Sequence, residues 1–123
     1  MDQQSLYERL GGYDGISSFA CILLVRLQSD SQLGRFWAHR GDDGIAREKQ
    51  LLIDYLCSVT GGPVYYRGRD MKLSHQGMGI SDSDWAIFLE HAGAAMKSLG
   101  LAKQECDEIV AFVLSLKKDI VDA

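Results

Sequence analysis

Proline is nearly absent from this chain, and that scarcity is the feature that most constrains its fold. Pro63 is the single proline among 123 residues, whereas there are thirteen glycines. A proline inside a helix removes a backbone hydrogen bond and clashes with the preceding turn, so long stretches without proline favour helices. The glycines gather in short groups, which are typical of helix ends and tight turns. The sequence therefore predicts helices separated by glycine-rich breaks.

Apolar residues recur at helical spacing in four long stretches of the chain. This spacing is the mark of an amphipathic helix. The predicted long helices cover about residues 14–28, 45–60, 82–99 and 103–121, with shorter helical pieces over 5–10, 29–37 and 73–80. Loops are expected over 39–44 and 64–72. No stretch alternates with a period of two, so the sequence predicts an all-α fold.

The third long helix has a clear start signal. Ser81 is expected to cap it, and Asp82 and Asp84 lie in its first turn, where carboxylates favour the helix dipole. Four long helices in antiparallel pairs suffice for a small helical sandwich or bundle. The length of the chain predicts one domain over residues 1–123.

Composition and charge exclude several classes of protein. Apolar residues make up 46% of the chain and no apolar run approaches the roughly 20 residues of a membrane-spanning helix. The net charge of −4 argues against a nucleic-acid binder, because nothing would neutralise a row of phosphates. Cys21, Cys57 and Cys106 are odd in number and form no CxxC pair. With no secretory leader visible, we expect a reducing, cytoplasmic location.

His75 is the residue that most invites a chemical role, since the chain holds no HExxH, P-loop or GxSxG motif. A single histidine holds a metal only if the metal is also held by other means, and haem holds its iron through the porphyrin. Arg67, Arg69 and Lys72 precede His75 and suit the propionates of a haem. The alternatives are a packing histidine and a solvated basic loop, with Tyr66 as a packing residue.

A set of motifs in fixed order then resembles the group I truncated haemoglobins. They are LYERLGG, the aromatic pair Phe36-Trp37, KQ before a helix that ends in GGP, and Y-x-G-R-D-M-K-x-x-H-Q-G-x-G-I over residues 66–80. The resemblance extends from residue 6 to about residue 121. It implies a two-over-two helical sandwich around one haem b, with His75 as the proximal iron ligand. The other residues that it assigns to the haem site include Arg69, Lys72, Tyr66, Met71, Ile53, Ile80 and Trp85.

On the opposite, distal side the chain departs from the family pattern. Leu24 stands where the family places a tyrosine that donates to the bound ligand, and Trp37 or Phe36 stands where it places a phenylalanine. The other positions that the resemblance assigns to the distal side are Ala46, Lys49 and Gln50. Gln50 is the expected remaining hydrogen-bond donor. Lys49 has two interpretations, as an internal iron ligand or as a lysine that faces solvent or a propionate.

The resemblance implies a function that depends on haem. We expect reversible binding of O2, NO and CO, with nitric oxide dioxygenation as the reaction and an unidentified reductase as a partner. The alternatives are a gas sensor or oxygen store without turnover and, third, a peroxidase-like protein. Without a hydroxyl at Leu24, we expect O2 to be held less firmly. A monomer is expected, with a dimer as the alternative.

Overall fold

The regular secondary structure of this protein is helical. The computed structural model describes residues 4–38, 40–63, 66, 71, 75 and 77–121, and these residues include no strand. The helices are α1 (Leu6–Arg9), α2 (Gly12–Ser29), a 3-10 helix (Leu33–Trp37), α3 (Asp42–Val59), α4 (Asp82–Ser98), α5 (Lys103–Ser115) and α6 (Lys117–Ile120). The predicted all-α fold class is confirmed. None of the described helices combines the length and the apolar character needed to cross a membrane.

Helix α4 begins at the predicted cap. The Ser81 hydroxyl accepts a hydrogen bond from the Asp84 backbone N–H at 3.1 Å, and the Asp84 carboxylate accepts one from the Ser81 N–H at 3.0 Å. This reciprocal pair satisfies two N–H groups that have no partner inside the helix. The start of α4 is therefore fixed by local sequence.

Two helix boundaries differ from the prediction. Helix α3 begins at Asp42, inside the segment predicted as a polar loop, because Asp42 and Asp43 form its first turn and carboxylates stabilise that end of a helix. The last predicted helix is divided at Leu116 into α5 and α6. At this break the Ser115 hydroxyl donates to the Phe112 carbonyl, which offers the backbone an alternative to the helical pattern.

Helix α2 lies at the centre of the core and packs in two directions. Toward α3, the buried residues are Ile16, Ala20, Ile53 and Cys57, which we call the α2–α3 cluster. Toward the 3-10 helix and α4 lies the Leu24 cluster. Its buried members are Leu23, Leu24, Leu27, Leu33, Ala92 and Ala95, and the partly buried residues packed on it are Phe19, Ile22, Phe36, Trp37, Leu52, Ile87 and Phe88.

Helix α1 is held against the core by close backbone approaches. The Tyr7 N–H donates to the Thr60 carbonyl at 2.9 Å, across the end of α3. A Cβ placed on Gly62 would lie 2.5 Å from the Tyr7 ring, and a Cβ on Gly15 would lie 1.8 Å from the Leu10 carbonyl oxygen. Only glycine fits at either position without movement of its neighbours. Packing therefore requires glycine at Gly15, inside α2, and at Gly62, in the break after α3.

Candidate functional site

His75 is anchored through one of its ring nitrogens. Met71 and His75 both lie in helical backbone, four residues apart, and the His75 Nδ1 is 2.8 Å from the Met71 carbonyl oxygen. A carbonyl oxygen only accepts hydrogen bonds, so Nδ1 carries the proton and donates. The lone pair of the neutral ring then lies on Nε2, the nitrogen that binds a metal in this tautomer. Such a bond also fixes the orientation of the ring.

The Leu24 cluster supplies an apolar wall. Leu24 is 6% exposed in the middle of α2, and Leu52 of α3, Trp37 and Phe88 pack on the cluster. Trp85, which is 5% exposed, has its ring 5.3 Å from that of Phe88. An uncharged surface of this kind suits a flat apolar ligand and excludes water from it.

The aromatic pair of the 3-10 helix has two different environments. The Arg35 guanidinium carbon lies 4.2 Å from the centre of the Phe36 ring, and Arg35 in turn pairs with the Asp84 carboxylate at 2.7 Å. The Trp37 ring lies edge-on to Phe36, with the ring centres 6.4 Å apart. The Trp37 Nε1 atom is buried and has no hydrogen-bond partner within the part of the chain that the structure describes.

Gln50 is not brought to the Leu24 cluster. Its side-chain amide donates to the Tyr13 hydroxyl and to the Asp54 carboxylate, both at 2.9 Å. Tyr13 precedes Leu24 by eleven residues on α2, which is about 16 Å of helix. The Gln50 amide, which was expected to donate to a bound ligand, thus donates to a residue at the N-terminal end of α2.

Two further expected distal residues, Ala46 and Lys49, are exposed on α3. Exposure of Lys49 supports the interpretation in which it faces solvent. Leu52 instead is the α3 residue that packs on the Leu24 cluster. Glu48, one turn earlier on the same face, has a buried Oε2 atom that lies 2.7 Å from Arg40.

Glu48 was not singled out from the sequence as a residue of the inner face of α3, although the helical period of the apolar residues indicates it. Ile45, Leu52 and Leu56 recur at helical spacing and mark the inner face of α3. Glu48 falls on that face, whereas Gln50 falls two residues away from it.

Other predicted site residues occupy packing positions. Ile53 is 2% exposed and packs in the α2–α3 cluster. The Tyr66 ring lies 5.1 Å from Tyr55, whose ring is 6.2 Å from Phe112 of α5. Ile80 is half-buried just before α4. Arg67, Arg69 and Lys72, the expected propionate partners, lie outside the described residues.

His91 has a hydrogen-bond partner at each of its ring nitrogens. The Arg26 Nε–H donates to His91 Nδ1 at 3.2 Å, so the ring proton lies on Nε2, which donates to Asp30 at 2.8 Å. This bond from His91, together with the backbone N–H groups of Leu33 and Gln32, lowers the pKa of Asp30 to about 2. The three groups join α2 to α4 and leave His91 no metal-binding role.

An apolar cavity of about 100 Å³ lies on the other side of α2. Residues of α1, α2, α3 and α5 line it, among them Leu6, Ile16, Phe19, Leu56 and Phe112. Phe19 also packs on the Leu24 cluster, so the cavity and the cluster share a side chain. An apolar lining of this kind admits small apolar molecules.

An all-helical fold with an anchored histidine and an apolar wall is typical of a globin. The profile of the bacterial-like globin family matches residues 5–122, so the chain belongs to that family. The resemblance stated from the sequence motifs is thereby confirmed.

The relatives support the same group within the family. A group 1 truncated haemoglobin of Mycolicibacterium paratuberculosis is 28% identical, over 94% of this chain and 83% of the relative. One of Tetrahymena pyriformis is 24% identical, over 96% and 95%. The crystal structure of the 2/2 haemoglobin of Synechococcus sp. PCC 7002, with covalently attached haem, superposes with a TM-score of 0.87 at 25% identity, covering 98% of this chain and all of the other. The two-over-two fold is confirmed.

Haem b is the cofactor of this family, and through it globins bind diatomic gases such as O2. The described residues fit such a group. His75 has the tautomer that places the lone pair of the neutral ring on Nε2, and the Leu24 cluster is uncharged. Trp37 adds a buried N–H whose hydrogen-bonding capacity the described chain does not use.

Proposed function

We propose that this chain holds haem b through His75, binds O2, NO and CO reversibly, and converts NO to nitrate. The single observation that carries the proposal is the bond between His75 Nδ1 and the Met71 carbonyl, because it leaves the lone pair of the ring on Nε2, the nitrogen that we propose as the iron ligand. Arg69 and Lys72 are proposed as partners of the propionates. The whole chain over residues 1–123 is proposed to be one domain.

The chain's own residues have three tasks in this function. His75 holds the metal, and Met71 fixes the tautomer and angle of the imidazole. The Leu24 cluster keeps bulk water from the ligand side, which protects a reduced metal from solvent-assisted oxidation. The cavity beside Phe19 gives a second diatomic molecule an apolar place to reside before it reacts.

When bound, the haem supplies the ligand-binding metal and the single electron with which NO and O2 combine to give nitrate. In balanced form, one NO, one O2 and one electron give one nitrate ion. An electron must therefore be returned for every turnover, and we propose that an unidentified reductase returns it. The three free thiols, Cys21, Cys57 and Cys106, suit a reducing compartment.

Absorption spectroscopy tests the haem assignment. Haem added to the protein should give a Soret band and raise the midpoint of unfolding, because a ligand that binds only the folded state stabilises it. His75→Ala should lose the band of a histidine-ligated haem. His91→Ala is the matched control, since His91 is committed to Asp30 and Arg26, and it should keep the band. Equal loss of the band in both variants would refute His75 as the ligand.

Stopped-flow mixing of the O2-bound protein with NO tests the reaction. Stoichiometric nitrate and rapid oxidation are expected, and addition of a reductase with its electron donor should then sustain turnover. Displacement of O2 by NO without nitrate would favour the sensor or storage role instead.

A further inference from the structure

We propose that the indole N–H of Trp37 is the hydrogen-bond donor to the bound diatomic ligand, in place of the hydroxyl that Leu24 lacks. This inference rests on the proposed haem function. It assigns a ligand-contacting role to a residue whose expected role was only apolar contact with the porphyrin.

The first support is an unmet hydrogen bond. Trp37 Nε1 is buried, and no described residue accepts a hydrogen bond from it. An indole nitrogen donates only, and buried tryptophans normally find a partner for that group. A buried donor without an acceptor destabilises the fold that contains it. A ligand that accepts this bond removes that penalty, so the site favours a ligand with a negatively polarised atom.

The second support is position. Trp37 packs on the Leu24 cluster, as Leu52 and Phe88 do, so its ring lies against the apolar cluster of which Leu24 is a buried member. Leu24 is 6% exposed and brings no polar atom to that wall. Gln50, the amide expected to replace the hydroxyl, is occupied with Tyr13 and Asp54. Trp37 is thus the buried donor that the structure places at the Leu24 cluster.

The ring is also held in place, as a donor must be. The 3-10 helix that carries it is tied to α4 by Arg35, which donates to the Asp84 carboxylate at 2.7 and 3.1 Å. Arg35 lies over Phe36, and Phe36 contacts the edge of Trp37. The helix that carries the indole is thus fixed before a ligand binds, and a donor held in advance has a larger effect than a mobile one.

The test compares two ligands that differ in polarity. Bound O2 carries partial negative charge and accepts a hydrogen bond strongly, whereas bound CO is a weak acceptor. In the haem-loaded protein, Trp37→Phe should speed O2 dissociation by about tenfold to a hundredfold, since each tenfold corresponds to about 1.4 kcal/mol. CO dissociation should change by less than about threefold. The ratio of the two rates is the readout that a merely structural role would not move.

Tyr13→Phe is the control, because it also removes a polar hydrogen from an aromatic side chain, but Tyr13 lies eleven residues before Leu24 on α2, about 16 Å of helix away. It should leave the ratio of the O2 and CO dissociation rates at the wild-type value. The double variant Leu24→Tyr with Trp37→Phe should slow O2 dissociation again, since it returns a hydroxyl donor to the same wall.

A second readout does not involve ligand release. In 15N-labelled haem-loaded protein, the Trp37 Nε1–H resonance, assigned by its loss in Trp37→Phe, should shift between the O2-bound and CO-bound states, both of which are diamagnetic. An unchanged rate ratio and an unchanged resonance would overturn the role of Trp37 while leaving the haem function intact. If neither the wild type nor the variants bind CO, the proposed function itself fails.

Discussion

The ion pair between Asp84 and Arg35 should be a main stabilising contact of the 3-10 helix that carries Phe36 and Trp37. Asp84 is 1% exposed and accepts hydrogen bonds from Arg35, from Gln32 at 2.6 Å and from the Ser81 backbone N–H. One carboxylate thus joins the 3-10 helix to the first turn of α4. Asp84→Asn keeps the size of the side chain but removes its charge.

The loss of stability in Asp84→Asn is the sum of the interactions that the negative charge of Asp84 makes. The Arg35 side chain is 48% exposed, so solvent screens the pair and its share is limited to about 1 kcal/mol. The bond from half-buried Gln32 and the contact with the α4 dipole each lose about 0.5 kcal/mol when the acceptor becomes neutral. We therefore expect Asp84→Asn to lower the free energy of unfolding by about 2 kcal/mol, or the melting temperature by roughly 8 °C.

Urea unfolding of the haem-loaded protein measures this effect, with Asp82→Asn as the matched control. Asp82 lies in the same first turn and pairs with Lys117 at 3.1 Å, but its side chain is 78% exposed. A surface pair of this kind contributes at most about 1 kcal/mol, so the control should change little. Coincident unfolding curves for the two variants near neutral pH would refute the reasoning.

Acid provides a second check on the same carboxylate. The hydrogen bond from Arg35 lowers the pKa of Asp84 well below its usual range. A lowered folded-state pKa means that the stabilisation is complete above the unfolded-state pKa, about 4, and is lost as the pH falls toward the folded-state value. The difference in stability between wild type and Asp84→Asn should therefore be largest near neutral pH and should shrink below about pH 4.

Three further outcomes are expected. Leu24→Tyr should slow O2 dissociation by about tenfold in stopped flow, by adding a donor hydroxyl, and no slowing would mean that position 24 does not control the ligand. Gly15→Ala should lower the urea midpoint strongly, since its Cβ would meet a backbone carbonyl at 1.8 Å, while the control Gly93→Ala, with nothing within 4 Å, should raise it. Asp30→Asn should flatten the loss of stability between about pH 4 and pH 2, because the Asp30 pKa of about 2 makes that carboxylate stabilising above this range and protonated below it, and a curve parallel to wild type would contradict this.

Local sequence was sufficient wherever a single element decided the outcome. Ser81 and Asp84 determine where α4 begins, because a capping box involves only residues of one turn. Asp42 and Asp43 carried an equally local signal for the start of α3, which the surrounding polar residues concealed. His75 was recognised from a motif of fixed spacing, and its contact with Met71 spans one helical turn.

The distal side could not be predicted in the same way, because it is made by helices that meet only in the folded chain. The sequence identified Leu24 as the missing hydroxyl, yet it directed attention to Gln50 as the donor. The packing of α3 on α2 decides that the Gln50 amide donates to the Tyr13 hydroxyl and that Leu52 packs on the Leu24 cluster. Rotation of a helix by a fraction of a turn decides which side chain faces a site, and tertiary contacts set that rotation.

The sequence by itself determined that the chain is helical, that glycines separate its helices and that His75 stands in a globin motif. Each of these follows from short-range chemistry: the absence of proline, the period of apolar residues and the spacing of one motif. The tertiary structure alone decided that Trp37 has a buried N–H without a described partner and that Arg35 and Asp84 hold the helix that carries it. Burial of a polar atom and the pairing of distant charges depend on which elements come together, and that depends on the whole core.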